Sequence, residues 1–195
     1  MKTGIFSRGF IFRFSLILVL AVGLFAMPDL TAHAATDVVT NDHDSGAGSL
    51  RQAIANAAAG DTITFDNDYT ITLTSASLTV AKDMTIDGTG HSVSISGNNV
   101  RSVFIVNSGV TASLTGLTIL DGNSWGNNGG GIDNAGALTI TNSTISGNSA
   151  PGGIGAGIYS SGTLTVQDST ISGNSAIGGG GGAIFNDGGT LTVQN

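Results

Sequence analysis

Residues 131–195 read GIDNAGALTITNSTISGNSAPGGIGA (131–156), GIYSSGTLTVQDSTISGNSAIGGGGG (157–182) and AIFNDGGTLTVQN (183–195). Laid beneath one another they repeat every 26 residues, with one additional glycine in the last copy. The columns are Ile132/Ile158/Ile184, Leu138/Leu164/Leu191, Ile140/Val166/Val193, Ile145/Ile171 and Asn148/Asn174. Within each copy the apolar residues alternate with polar ones over three to five positions, and Gly and Asn separate the runs. Alternation of that length marks strands, and Gly/Asn punctuation marks tight turns. Three short strands per unit fit one coil of a three-faced parallel β-solenoid, each strand stacking on its equivalents above and below. A propeller blade needs about 40–45 residues per repeat, and the leucine-rich motif is absent.

The same rhythm extends upstream. Leu114, Leu117 and Ile119 precede Asp121-Gly122-Asn123-Ser124, where the later copies read Ser-Gly-Asn-Ser. Further back lie Leu78-Thr79-Val80, Met84-Thr85-Ile86-Asp87-Gly88 and Ile95-Ser96-Gly97-Asn98. The span 61–195 is therefore expected to make roughly five coils, a rod of about 24 Å at the spacing of paired strands. Inward Leu, Ile and Val form the core ladders, each side chain contributing about 1.5–3 kcal/mol on burial. Asn123, Asn148 and Asn174 are expected to form an asparagine ladder that satisfies turn backbones. The sequence ends inside a strand, so a longer parent chain or a neighbour covering that edge is expected.

Before the solenoid, Ser49-Leu50-Arg51-Gln52 has the form of a capping box. Leu50, Ala53, Ile54, Ala57 and Ala58 make one apolar stripe on a helix predicted over 49–59, with Gly60 as its left-handed terminator. This helix reads as a lid on an apolar end of the rod, in a segment, 35–60, that also holds a short strand. Residues 1–34 read as a secretory signal peptide. Lys2, Arg8 and Arg13 form a positive start, Leu16–Ala26 an apolar run, and Ala32-His33-Ala34 a cleavage site, with cleavage expected near Ala34. An uncleaved anchor is the rival, but the apolar run is short for a span of about 20 residues. The implied location is extracellular or cell-surface, with no stable transmembrane helix after cleavage.

Composition narrows the function. The chain has 195 residues, 31 glycines, no cysteine, and 13 acidic residues, all aspartate, against 6 basic ones. Disulfides, thiol catalysis and thiolate metal sites are excluded. So is a basic nucleic-acid footprint. Without residues 1–34 three cations remain against twelve aspartates, a net charge of −9. Such a surface repels anionic polymers and suits neutral or cationic partners.

Two stretches carry a family resemblance. Gly48 to Ala53, followed by Gly60-Asp61-Thr62-Ile63-Thr64-Phe65, resembles the CSLREA-type N-terminus of secreted bacterial right-handed parallel β-helix proteins, with Gly48 where that motif has Cys and Gln52 where it has Glu. The units Gly130–Asn134, Ser143–Asn148, Ser169–Asn174 and Gly182–Asn186 are similar to polymorphic outer membrane protein repeats, with Ile145 and Ile171 in place of the usual Phe. The resemblance implies an all-β fold of the pectate-lyase-like type. It also implies a place among cell-surface, cell outer membrane and adhesin-like proteins.

Candidate chemistry is sparse. No two of Asp121, Asp133, Asp168 and Asp187 are expected in one column or in neighbouring ones. Asp133 is placed on Tyr159 and Phe185, and Asp168 on Asn142 and Gln194. A glycosidase carboxylate pair is therefore not expected, and catalytic, cofactor and metal residues are read as none. Arg101 reads as solvated or turn-bonded, Arg51 as a partner for a nearby aspartate, and His43 and His91 as loop residues. Asp42-His43-Asp44-Ser45-Gly46 and Asp66-Asn67-Asp68 have oxygen-rich compositions that calcium favours, but lack a full ligand pattern and read as turns. The glycine runs at 129–131 and 178–182 precede strands, not helices, and are not phosphate loops.

Candidate ligand-contacting residues are Trp125 and Tyr159, which could stack on a sugar ring, and the outward threonines Thr139, Thr165 and Thr192. The threonine row could meet ice or a flat polysaccharide, although outward threonine is ordinary in strands and Ala137 interrupts the neighbouring row. The expected function is a secreted or cell-surface β-helix scaffold, adhesive or glycan-contacting and non-catalytic, its partner an extracellular polysaccharide or a host or neighbour surface. The alternative is part of a polysaccharide lyase or glycoside hydrolase whose catalytic coils lie beyond residue 195.

Overall fold

The computed structural model describes residues 35–195; the signal-peptide reading of 1–34 lies outside them. Strand β1 (Thr36–Val39) precedes helix α1 (Leu50–Asn56). The first full coil is β2 (Asp61–Phe65), β3 (Tyr69–Thr72) and β4 (Leu78–Val80). The second is β5 (Met84–Asp87), β6 (Val93–Ser96) and β7 (Phe104–Val106), and the third β8 (Thr111–Thr115), β9 (Leu117–Leu120) and β10 (Ile132–Asn134). The fourth is β11 (Ala137–Thr141), β12 (Thr144–Ser146) and β13 (Ile158–Ser160). The fifth is β14 (Thr163–Gln167), β15 (Thr170–Ser172) and β16 (Ile184–Asn186), and β17 (Thr190–Gln194) starts another.

Equivalent strands pair in parallel into three faces. Face one has seven strands, β1-β2-β5-β8-β11-β14-β17; face two is β3-β6-β9-β12-β15 and face three β4-β7-β10-β13-β16. The span 61–195 makes the five full coils expected of it, and with β1 and β17 bracketing them the solenoid has about six turns; face one extends about 29 Å at ~4.8 Å per strand. Along face one the coil lengths are 23 (61 to 84), 28 (84 to 112), 26 (112 to 138), 26 (138 to 164) and 27 (164 to 191). The regular 26-residue coil thus belongs to the later part of the rod.

Each face contributes at least one deep apolar ladder. Face one stacks Ile63, Ile86, Leu114, Ile140, Val166 and Val193. Face two stacks Ile71, Ile95, Ile119, Ile145 and Ile171, and face three Leu78, Phe104, Ile132, Ile158 and Ile184. From Ile63 to Ile158 every one of these side chains is buried. β-Branched residues dominate because their single preferred rotamer stacks well on a pleated surface.

Helix α1 packs over β1, β2 and β4, burying Leu50, Ala53 and Ile54. It ends at Asn56, three residues short of the expected 59. Ala57 turns extended (φ −50, ψ 137) and Ala58 is exposed. Two side chains account for the early stop. Lys82 Nζ donates to the carbonyls of Ala55 and Ala57, and Asp61 Oδ2 accepts from Ala58 N–H at 2.7 Å. Gly60 is left-handed (φ +93), but it lies beyond the helix and donates its N–H to Asp83 O. The capping box is half made. Ser49 Oγ accepts from Gln52 N–H, whereas the Gln52 side chain donates to Asn56 Oδ1.

Arg51 secures the lid. Its guanidinium pairs with Asp44 and donates to the carbonyls of Ala76 and Ser77. Asp44 Oδ2 accepts from Thr74 Oγ1 and Ser75 N–H. Both oxygens of Asp44 are thereby engaged, and the 42–46 loop is held by turn and clamp bonds.

The asparagine ladder exists in shortened form. Asn148 is buried; its Oδ1 accepts from Gly122 N–H (2.8 Å) and its Nδ2 donates to Ile119 O (3.2 Å) and Asn174 Oδ1 (2.9 Å). Asn123 is not a rung. It aligns with Ser149, so Gly122 occupies the rung position. The letters Gly-Asn-Ser recur at a spacing of 25 here, while the flanking strands keep 26, as Leu120 opposite Ser146 shows. The expected stacking of Asp168 on Gln194 also fails. Gln194 pairs with Gln167, because the additional glycine precedes β17 and shifts the last strand by one.

Candidate functional site

On face three the outward column runs Thr79, Ile105, Asp133, Tyr159, Phe185. Inward-facing Ile132 and Asn134 are buried, which fixes Asp133 between them on the outside. Alongside this column, the long turn between β9 and β10 stacks on the corresponding turns of the next two coils. Asn123, Ser149 and Ser175 are bridged, and an added Cβ on Gly152 or Gly178 would stand 3.8 Å from the glycine Cα one coil below. Trp125, Pro151 and Ile177 each precede one of the stacked glycines (Gly126, Gly152, Gly178) and form an apolar ridge. Trp125 is 67% exposed and Ile177 70%.

Trp125 is left-handed (φ +44), a conformation that costs a bulky residue of the order of 1–3 kcal/mol. Its N–H donates to Asn123 Oδ1 at 3.0 Å. The side chain expected in the ladder instead closes the turn that projects the indole. Ser124 Oγ, donating to Asn127 O at 2.6 Å, ties the same turn from the other side.

Between ridge and column lies a groove of about 390 Å³, its walls including Val100, Arg101, Trp125, Asn127, Asn128 and Asp133. Asp133 is half-buried with no hydrogen-bond partner among the described residues, and burial pushes its carboxyl above the ordinary aspartate value. Arg101 is turn-bonded through one nitrogen, Nη2 donating to Thr74 O at 3.1 Å; its Nε is buried with no partner. Next to Asp133 on the adjoining strand, Tyr159 stacks on Phe185 with ring centroids 6.2 Å apart and planes 9° apart. The Tyr159 hydroxyl donates to Asp187 Oδ2 at 2.6 Å, which raises the phenol's pKa, with the charges of Asp187 and Asp133 adding to the effect. Two carboxylates therefore act on one phenol, although no two aspartates share a column. Column counting misses this because a tyrosine reaches past its own strand into the next turn.

The structure brings Trp125 and Tyr159 to the same side of the solenoid, with Asp133 between their elements. Thr139, Thr165 and Thr192 lie on face one, away from them. There they continue a longer row: Thr36, Thr62, Thr85, Ser113, Thr139, Thr165 and Thr192, one hydroxyl residue on each of seven strands. A shallow depression of about 430 Å³ lies over Thr85, Ser113 and Thr139. Its one charged wall residue, Asp83, already accepts from Thr111 N–H. The face-three groove differs in holding unpaired polar groups beside exposed aromatic surface. Sequence reasoning missed Arg101, Asp133, Asn123 and Asn128 as groove residues. The one available signal was the 26-residue phase that puts Asp133 under Tyr159.

The right-handed β-helix region, as a sequence family, matches residues 42–195. The chain belongs to the right-handed β-helix family. That membership agrees with the three parallel faces. No curated protein and no solved structure matches this chain. Among the described residues no helix is long and apolar enough to cross a membrane.

Proposed function

We propose that this β-helix is a secreted or cell-surface scaffold that contacts glycan, in an adhesive role and without catalysis, through the groove of face three. One observation carries the reading. An exposed tryptophan is held in a costly left-handed turn by Asn123, at the mouth of a groove whose carboxylate and guanidinium have unmet hydrogen-bonding capacity. Exposed aromatic faces stack on the apolar faces of sugar rings, and a few fixed polar groups set orientation. The apolar run and cleavage-like Ala-His-Ala of residues 1–34 support export. The turn-bound Asp44 loop gives no reason to require calcium.

A glycan-array screen of the full chain, with and without calcium, tests this. Trp125→Asn keeps a residue type that tolerates the left-handed turn and removes the indole. It is expected to lower binding at least about tenfold, in line with the loss of a central aromatic contact. Thr139→Ala, on face one, is expected to leave binding unchanged. Release of shortened products from a bound polysaccharide would replace the scaffold reading with a catalytic one.

A further inference from the structure

The described basic residues are three, and two are fully used inside the fold. Arg51 is spent on Asp44 and two carbonyls, and Lys82 on the carbonyls that end α1. Arg101 alone reaches the groove, and it is not within ion-pair distance of Asp133. The close charged contacts among the described residues are Arg51–Asp44 and His91–Asp68, the second an ion pair only with a protonated imidazole. Among the described residues Asp133 is thus a half-buried carboxylate with neither a counter-ion nor a donor. Nearby, Asp187 adds a second negative charge, held on Tyr159.

An ionised carboxylate only accepts hydrogen bonds. A ligand that completes Asp133 must bring O–H or N–H groups. The Arg101 guanidinium is the reciprocal case: it lines the groove, its described side-chain bond is the one from Nη2 to Thr74 O, and it can only donate, so it calls for an acceptor oxygen. A neutral sugar supplies both, since each hydroxyl donates and accepts. A uronate or sulfate group supplies acceptors only and places a second negative charge beside Asp133 and Asp187. Bonds from hydroxyls to the carboxylate, and from the guanidinium to a sugar oxygen, are charge-assisted and stronger than neutral ones.

We infer that the groove selects uncharged, hydroxyl-rich glycans over uronate-bearing or sulfated ones, and that Asp133 is the residue that sets this choice. The inference rests on the glycan-contact reading above and adds the class of glycan. Ridge and column both run along the solenoid axis, and Val100, Trp125, Pro151 and Ile177 come from successive turns. A linear chain lying along that axis would meet one apolar residue per coil, every ~4.8 Å.

The test measures affinities of the full chain by titration calorimetry. The ligands are neutral gluco-, manno- and xylo-oligosaccharides, oligogalacturonate, and a cationic amino-sugar oligomer, with wild type and Asp133→Asn. Wild type is expected to bind at least one neutral series about tenfold or more tighter than oligogalacturonate, because like charge at an interface works against a partner. Added salt should narrow that ratio by screening. Asp133→Asn keeps the shape and removes the charge. It should weaken neutral binding several-fold, strengthen oligogalacturonate binding and bring the two near parity, with thermal stability equal to wild type or higher. Oligogalacturonate binding wild type as tightly as the neutral series would overturn the selection while leaving glycan contact standing. The amino-sugar oligomer brings N–H donors and positive charge, so it should lose more affinity than the neutral series in Asp133→Asn; a smaller loss would overturn the role of Asp133. An unchanged ratio in Asp133→Asn would overturn the role of Asp133. Binding to none of the ligands would remove both readings.

Discussion

Replacing Asn148 by alanine probes the register of the solenoid directly. The wild-type amide makes three side-chain bonds, accepting from Gly122 N–H and donating to Ile119 O and Asn174 Oδ1. Each neutral bond contributes about 1 kcal/mol net, and an orphaned buried donor costs about 1–3 kcal/mol. Gly122 N–H loses its acceptor in a site where Asn148 is 1% exposed, so water has no ready access. Asn174 Oδ1 retains Asn148 N–H, which limits the damage at that end. The sum is about 3–5 kcal/mol, or a fall in Tm of roughly 10 °C for a domain of this size. Asn123→Ala serves as the comparison, because Asn123 makes one exposed bond to Trp125 N–H. Its cost should stay within about 1 kcal/mol. Urea denaturation followed by far-ultraviolet circular dichroism measures both. Equal losses in the two variants would refute the reasoning, since they would place Asn123 back in the ladder and shift the third coil by one residue. Asn148→Asp offers a further check. It can accept from Gly122 N–H but cannot donate while ionised, so it should be destabilised at neutral pH and recover partly in acid.

Other outcomes follow from local chemistry. Burial alone would raise the Asp44 carboxyl, but bonds from Ser75, Arg51 and Thr74 outweigh it and hold the group far below the ordinary carboxylate range. The stabilisation is therefore present above the unfolded value of about 3.9 and is lost as pH falls through the lower folded value. Asp44→Asn should be less stable than wild type at neutral pH, and the gap should shrink in strong acid, as read from Tm across pH. The two tyrosines should resist alkali. Tyr69, donating to Asp66, is pushed up to about 12, and Tyr159 is raised by its bond to Asp187. Stability from these bonds is present below pH ~10 and lost as pH rises through the folded values. Phenolate absorbance should stay low at pH ~10, and Asp187→Asn should return one tyrosine to ordinary titration. Gly122→Ala should be severely destabilising. Its Cβ would collide with the carbonyl oxygen of Gly130 and lie 2.8 Å from Asn148 Oδ1. Gly90→Ala, left-handed but in open space, should cost only about 1–2 kcal/mol in the same denaturation assay.

What the sequence disclosed was the part of the fold that depends on period. The ladders through Ile132, Leu138 and Ile140 follow from apolar residues recurring once per coil, since only stacking buries them. What it concealed depends on single-residue choices in turns. Gly122-Asn123-Ser124 matches its later counterpart by letter, but the column through Leu120 and Ser146 shows the shared letters to be displaced by one residue. The helix end was misplaced because the stop comes from Lys82 and Asp61, distant and downstream side chains, and not from Gly60. Trp125 and Tyr159 were visible as aromatic residues among polar ones. The groove was not, because its walls come from turns that join only when neighbouring coils stack.

The near-constant coil length also bears on how the molecule acquires its structure. Hydrogen bonds such as Asn148 to Gly122 and Asn134 to Ser160 all join residues 26 apart. The loop that must close to add a coil therefore stays between 23 and 28 residues, and its entropic cost does not grow as the rod lengthens. Residues 36–65 already hold β1, α1 and β2, which pair and pack together near the start of the chain. That segment can act as a template on which later coils condense one at a time, in the order in which they emerge from a ribosome. Assembly of this kind is a one-dimensional growth process. A turn defect such as Gly122→Ala would halt it at the third coil and leave the template behind it intact.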